Sequence, residues 1–134
     1  MTDLGMGDAF DLDLAAATIL RDNQDIHALL KALAGQLGGA LGAQLVVERK
    51  GGLLRKSDQI KALEAAVGSE QFRAELAGAG VVCTIGHSSG GIRIRSERVP
   101  MDEWLRRLLS ALKAEAEHNQ SARQALENMV IGGP

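Results

Sequence analysis

Residues Val81–Leu112 read VVCTIGHSSGGIRIRSERVPMDEWLRRLLSAL. The first twenty of these decide the fold. Val81–Ile85 is a run of β-type residues, Gly86–Gly91 is a glycine and serine corner, and Ile92–Ser96 alternates apolar with polar side chains. Alternation with period two is the signature of a strand, so the chain reverses at the corner and the two runs pair antiparallel. In the second run Ile92 and Ile94 point one way and Arg93 and Arg95 the other, which predicts one buried and one wet sheet face. Pro100 then opens a helix, where its missing N–H costs nothing, and Asp102 and Glu103 suit that positive end. From Met101 the apolar positions run through Leu105, Leu108 and Leu112, widened by Trp104 and Leu109. The register passes Glu115 and Asn119 and recovers at Ala122, Leu126 and Met129. One long amphipathic C-terminal helix is expected, core-facing in its first half. Its second half lies either on its own domain or against another subunit.

Upstream, Phe72, Ala74 and Leu76 alternate, as do Leu63, Ala65 and Val67, with Gly68-Ser69 between them. That arrangement favours a hairpin over the competing helix, which Ile60, Leu63 and Val67 capped by Ser57 or Asp58 would make. Gly78-Ala79-Gly80 is a further turn, Gln44–Arg49 a strand, Lys50-Gly51-Gly52 a turn and Leu53–Lys56 a short returning strand. The result is an antiparallel meander of four to six strands. In the first third Leu12, Ala15, Ala16 and Ile19, then Ile26, Leu29, Leu30, Leu33, Leu37 and Leu41, recur at helical spacing. Arg21-Asp22-Asn23 interrupts them, giving one kinked helix or two in sequence, with Asp11 or Asp13 as the first cap and Asp22 or Asn23 as the second. Gly38, Gly39 and Gly42 end the stripe. Residues 1–10 are expected to be a flexible acidic tail and 11–131 a single α+β domain: N-terminal helix, meander, C-terminal helix.

With 134 residues and a 46% hydrophobic fraction the chain can bury a core without disulfides or a structural metal. Its aromatics are Phe10, Phe72 and Trp104, too few for the stacking platforms that sugars and single-stranded nucleic acids use. The net charge of -2 is uneven: six Asp face Arg21 and Lys31 in residues 1–47, whereas residues 48–107 hold eleven Lys and Arg against eight Asp and Glu. An acidic arm and a basic middle can pair within a chain or between chains. Cys83 is the single cysteine, set among Val81, Val82 and Ile85, and is expected to act as a small buried hydrophobe. The N-terminus opens on acids where a secretory signal has basic residues, and no apolar run approaches the about 18 residues that span a membrane. A cytoplasmic protein is expected.

Gly86-His87-Ser88-Ser89-Gly90 resembles the nucleophile elbow of serine esterases, which would make Ser88 a nucleophile in a small hydrolase. That elbow needs a helix directly after the serine, a parallel sheet, and an acid and a histidine downstream. Here the following residues alternate as a strand, and the one downstream histidine is His118. The corner therefore reads as a hairpin turn, and no catalytic residue is assigned. His27, a boundary residue on a helix, does not group with His87 and His118 at metal-ligand spacing, and no phosphate-binding glycine loop is present, so neither metal nor cofactor is expected.

Arg93, Arg95, Arg98, Trp104, Arg106, Arg107, Leu126 and Met129 form the candidate interaction surface. The function expected is a non-enzymatic protein-interaction module, an adaptor or chaperone-like protein that forms homodimers. Small acidic secretion chaperones and adaptors are similar in size and build, with no motif in common. The alternative is a binder of nucleic acid or another anionic ligand through a basic sheet face carrying Arg93 and Arg95.

Overall fold

Five strands pair antiparallel in chain order: β1 (Leu45–Arg49), β2 (Ile60–Val67), β3 (Glu70–Ala77), β4 (Gly80–Ser89) and β5 (Ile92–Val99). The computed structural model of the chain describes residues 4–49, 59–78, 80–90 and 92–131. Three two-residue hairpins link β2 to β5, and each begins with a glycine at positive φ: Gly68 at 62°, Gly78 at 62° and Gly90 at 61°. The residue 60–67 segment is thus a strand of a hairpin, because its alternation lets Leu63, Ala65 and Val67 face the same core as Phe72 and Ala74. The turn expected at Lys50–Gly52, the returning strand Leu53–Lys56 and the Ser57 or Asp58 cap lie outside the described residues.

Helices cover one face of this sheet. Two N-terminal helices, α1 (Leu4–Asp22) and α2 (Ile26–Leu41), stand where the sequence allowed one kinked helix or two. The cap between them is Asp25, whose carboxylate accepts from the His27 N–H at 3.3 Å, and not Asp22 or Asn23. Asn23 instead donates from its side chain to the Ile19 carbonyl at 2.9 Å, tying off the end of α1. α1 runs through Asp11 and Asp13, which therefore are not caps, and its first seven residues occupy the stretch set apart as a tail.

The C-terminal stretch is two helices where the seam suggested one: α3 (Met101–Ala116) and α4 (Gln120–Ile131). Asn119, one of the polar interruptions of the seam, caps the second by accepting from the Ala122 N–H at 3.1 Å. The break lets α4 fold back on its own chain. It packs on α2 and α3, burying Ala122, Ala125 and Met129. α2 lies against β1 and β2, α3 against β2 and β4, and α1 packs on α3.

At the centre sit Trp104 and Phe72, ring to ring edge-on with centroids 6.2 Å apart. The Trp104 indole N–H donates to the Thr84 carbonyl of β4 at 3.2 Å, which gives the one polar atom of a fully buried ring a partner. Cys83 is buried as expected, 3.8 Å from the Met101 sulfur, and burial pushes its thiol up to about 11. Among the described residues no helix lies against the other face of the sheet.

Candidate interaction surfaces

The Gly86–Ser89 stretch is strand, with the turn beginning at Gly90, so the hairpin reversal is shorter than the six-residue motif suggested. Ser88 continues into a strand pair with Arg93 and not into a helix. Its hydroxyl donates to the Gln71 side-chain oxygen at 3.2 Å, on the uncovered face of the sheet. His87, one residue earlier, points to the helical side and meets two carboxylates, Glu70 at 3.3 Å and Glu97 at 3.0 Å. The two letters that made the motif look catalytic are on opposite faces. His118, the other residue a triad would need, lies in the exposed turn between α3 and α4 and pairs with Glu115 at 3.6 Å.

Glu97 is the hub of a cluster at the end of β5. Arg107 of α3 grips it with both guanidinium nitrogens at 3.1 and 3.2 Å, and also holds Glu103 at 3.2 Å. Arg95 stands 3.9 Å from the same carboxylate. Hydrogen bonds from Arg107 and then His87 hold the Glu97 carboxyl down at about 2. A paired fork of this kind fixes α3 to the edge strand; it leaves Arg107 no charge to offer a ligand.

The uncovered face has its own hub. Arg73 of β3 reaches Glu48 of β1 at 3.2 Å, Glu64 of β2 at 3.4 Å and Glu75 of its own strand at 3.3 Å. Ala62 sits between Glu48 and Glu75 in the register and has no exposed surface, although no helix is above it.

The strip expected of Arg93 and Arg95 is not formed. The pairing of β4 with β5 slips by one residue between His87 and Ser88, so that His87 pairs with Arg95 and Ser88 with Arg93, and Ile94 is the extra residue of a bulge. His87 and Ser88 face opposite ways, and their partners follow them. Arg93 lies on the uncovered face, where a Cβ on Gly86 would come within 3.3 Å of its Nε; Arg95 lies on the helical side. The buried role expected of Ile92 and Ile94 also fails: they are 72% and 67% exposed, and among the described elements no helix packs closely on β5.

Of the other residues assigned to the surface, Arg98 and Arg106 are exposed, and Arg106 reaches Asp102 at 4.0 Å. Leu126 is half-buried. Trp104 is a core residue at 0% exposure, carried inward by the α3 stripe of Leu105, Leu108 and Leu112, and is removed from the candidate surface; Met129 of α4, at 1%, is buried and borders a surface only as a lining residue of the recess between α1, α2 and α4. His27 is a boundary residue as expected, with its Nδ1 buried and lacking a partner.

One recess was not foreseen. α1, α2 and α4 enclose a groove of about 650 Å³ lined by Ala15, Thr18, Ile19 and Met129, with Leu14 and Val130 beside it at 51% and 45% exposure. Gln36 contributes a side-chain oxygen that is buried with no donor. In the sequence Leu14 and Val130 are merely off the apolar stripe, and only the fold brings them together. Among the described residues no group of three or more His, Cys, Asp or Glu is placed to hold a metal ion, and no helix is long and apolar enough to cross a membrane. Comparison with protein-family models, curated proteins and solved structures finds no match, so a functional reading rests on these surfaces.

Proposed function

We propose that the protein is a non-enzymatic interaction module, adaptor- or chaperone-like, which associates with a second copy of itself through the α1–α2–α4 groove. The observation that carries this reading is the groove itself. Two half-exposed aliphatic side chains flank a recess whose floor holds an acceptor with no donor. Each half favours occupancy for its own reason. Covering apolar surface is favourable by about 25 cal/mol per Å², and a buried acceptor left unpaired costs about 1–3 kcal/mol until a donor arrives. An isologous two-fold contact meets the first condition, since Leu14 and Val130 of each copy enter the groove of the other.

Sedimentation equilibrium tests it. The native chain is expected to dimerise, and Leu14→Glu and Val130→Glu to be monomers with unchanged circular dichroism. A native chain that stays monomeric at every concentration reached, or variants that dimerise as well as it does, would refute self-association through this surface.

A further inference from the structure

β5 is a sheet edge with features that self-protection alone does not account for. Edge strands are commonly guarded by charge and by bulges, and β5 has both: Arg93, Arg95 and Arg98, and the bulge at Ile94. Guarding does not call for isoleucines between the arginines. Among the described residues Ile92 and Ile94 are nonetheless the two most exposed large hydrophobics, at 72% and 67%. The cations are also available. Among the described residues Arg93 and Arg98 have no carboxylate within 4.0 Å, and Arg95 only touches Glu97, whose charge Arg107 already occupies. By contrast Arg73, Arg106 and Arg107 are all held by acids of the same molecule.

The bulge distributes these free charges over both faces of the edge, Arg93 and Arg98 on the uncovered side and Arg95 on the helical side. A phosphate backbone lying on one face would meet only part of the set. An extended peptide added beside β5 sends alternate side chains to both faces and meets all of it. A second copy of β5 is disfavoured, because its arginines would come up against these.

We propose that β5 receives an extended acidic segment of a partner protein as a sixth strand. Main-chain hydrogen bonds along the free edge hold it, its carboxylates meet Arg93, Arg95 and Arg98, and its aliphatic side chains cover Ile92 and Ile94. This inference rests on the interaction-module reading but not on the groove.

The test is fluorescence anisotropy with a labelled, end-blocked peptide that repeats Val-Glu-Glu-Val, which as a strand carries glutamate and valine on both faces. Three comparisons accompany it: the same peptide with lysine for glutamate, the same peptide N-methylated on alternate amides, and a single-stranded DNA of similar charge. Only the acidic, unmethylated peptide is expected to bind well, and Arg93→Glu with Arg98→Glu should weaken it by about tenfold or more. An Ile92→Ser, Ile94→Ser variant is expected to lose affinity while the thermal transition stays in place. Leu14→Glu, which breaks the groove contact, should bind the peptide normally, so failure of the groove and failure of the edge are told apart. Absence of acidic-peptide binding, equal binding of the methylated peptide, or DNA binding more tightly would each overturn the proposal.

Discussion

Replacing Trp104 separates two opposed views of the residue. If it is a surface anchor, as its place in the candidate set implied, Trp104→Ala weakens partner binding and leaves the fold alone. With its ring fully buried, the substitution empties the middle of the core. Removing a buried tryptophan to alanine costs about 3–5 kcal/mol through lost burial and the remaining cavity. Two specific losses lie within that sum: the edge-on contact with Phe72 at 6.2 Å, worth about 0.5–1.5 kcal/mol, and the indole hydrogen bond to Thr84, worth about 1 kcal/mol. Against a total stability of about 5–15 kcal/mol the variant keeps little margin. For a chain of 134 residues each kcal/mol moves the midpoint by about 3–5 °C, so a drop of roughly 10–20 °C is expected. Circular dichroism during urea and thermal unfolding reads this directly. Trp104→Phe should lose less, and a cycle with Phe72→Leu should isolate a coupling near 1 kcal/mol. Because Trp104 is the single tryptophan, native emission should also be blue-shifted and poorly quenched by iodide. A loss under about 1 kcal/mol, the range of ordinary surface changes, together with quenched, red-shifted emission would refute the core assignment.

Glu97 predicts a pH effect with a definite sign. Its folded carboxyl is held at about 2, below the ordinary 4.5, so its contribution to stability is complete above 4.5 and disappears as pH falls toward 2. The stability gap between the native chain and Glu97→Gln, followed by urea unfolding at several pH values, should therefore be widest near neutrality and close in acid; a gap that widens in acid contradicts the assigned pairing. Gly68→Ala should destabilise by about 1–2 kcal/mol, since φ is +62° there and the new Cβ would stand 2.9 Å from a Glu115 oxygen. Adding Glu115→Ala should relieve the contact and leave the backbone penalty, whereas a stabilised Gly68→Ala would mean that the turn has another conformation.

The strands were legible because alternation and glycine corners are local signals. Val67-Gly68-Ser69-Glu70 and the run from Phe72 to Leu76 favour a hairpin over the helix that Ile60, Leu63 and Val67 also allow, and the pairing of the two strands decides for the hairpin. The helix starting at Pro100 was legible from local signals as well. What escaped depends on partners. Asn119 reads equally as a gap in a seam and as a cap, and the choice is made by α4 finding α2 to pack on. The exposure of Ile92 and Ile94 follows from the reach of helices remote in sequence. The bulge at Ile94 belongs to the pairing of two strands, so strict alternation along one of them placed Arg93 and Arg95 together when the pair sets them apart. The Arg73 and Glu97 hubs join residues from several elements and leave no spacing rule in the chain.

Those hubs also decide which edge of the sheet an acidic segment would choose. β1 and β5 are both edges, separated by four strand spacings of about 4.8 Å, or roughly two Debye lengths at physiological salt. Each edge is therefore governed by its own side chains and not by the net charge of the molecule. Beside β1, Glu48, Glu64 and Glu75 share Arg73, and Arg49 and Lys61 of β1 and β2 bring the described charge of that edge to balance. Beside β5, the one acid is neutralised from α3 and the surplus is positive. An acidic strand finds no net attraction at the first edge and is drawn to the second, so the balance struck within each set of charges supplies the discrimination between otherwise similar rows of backbone groups.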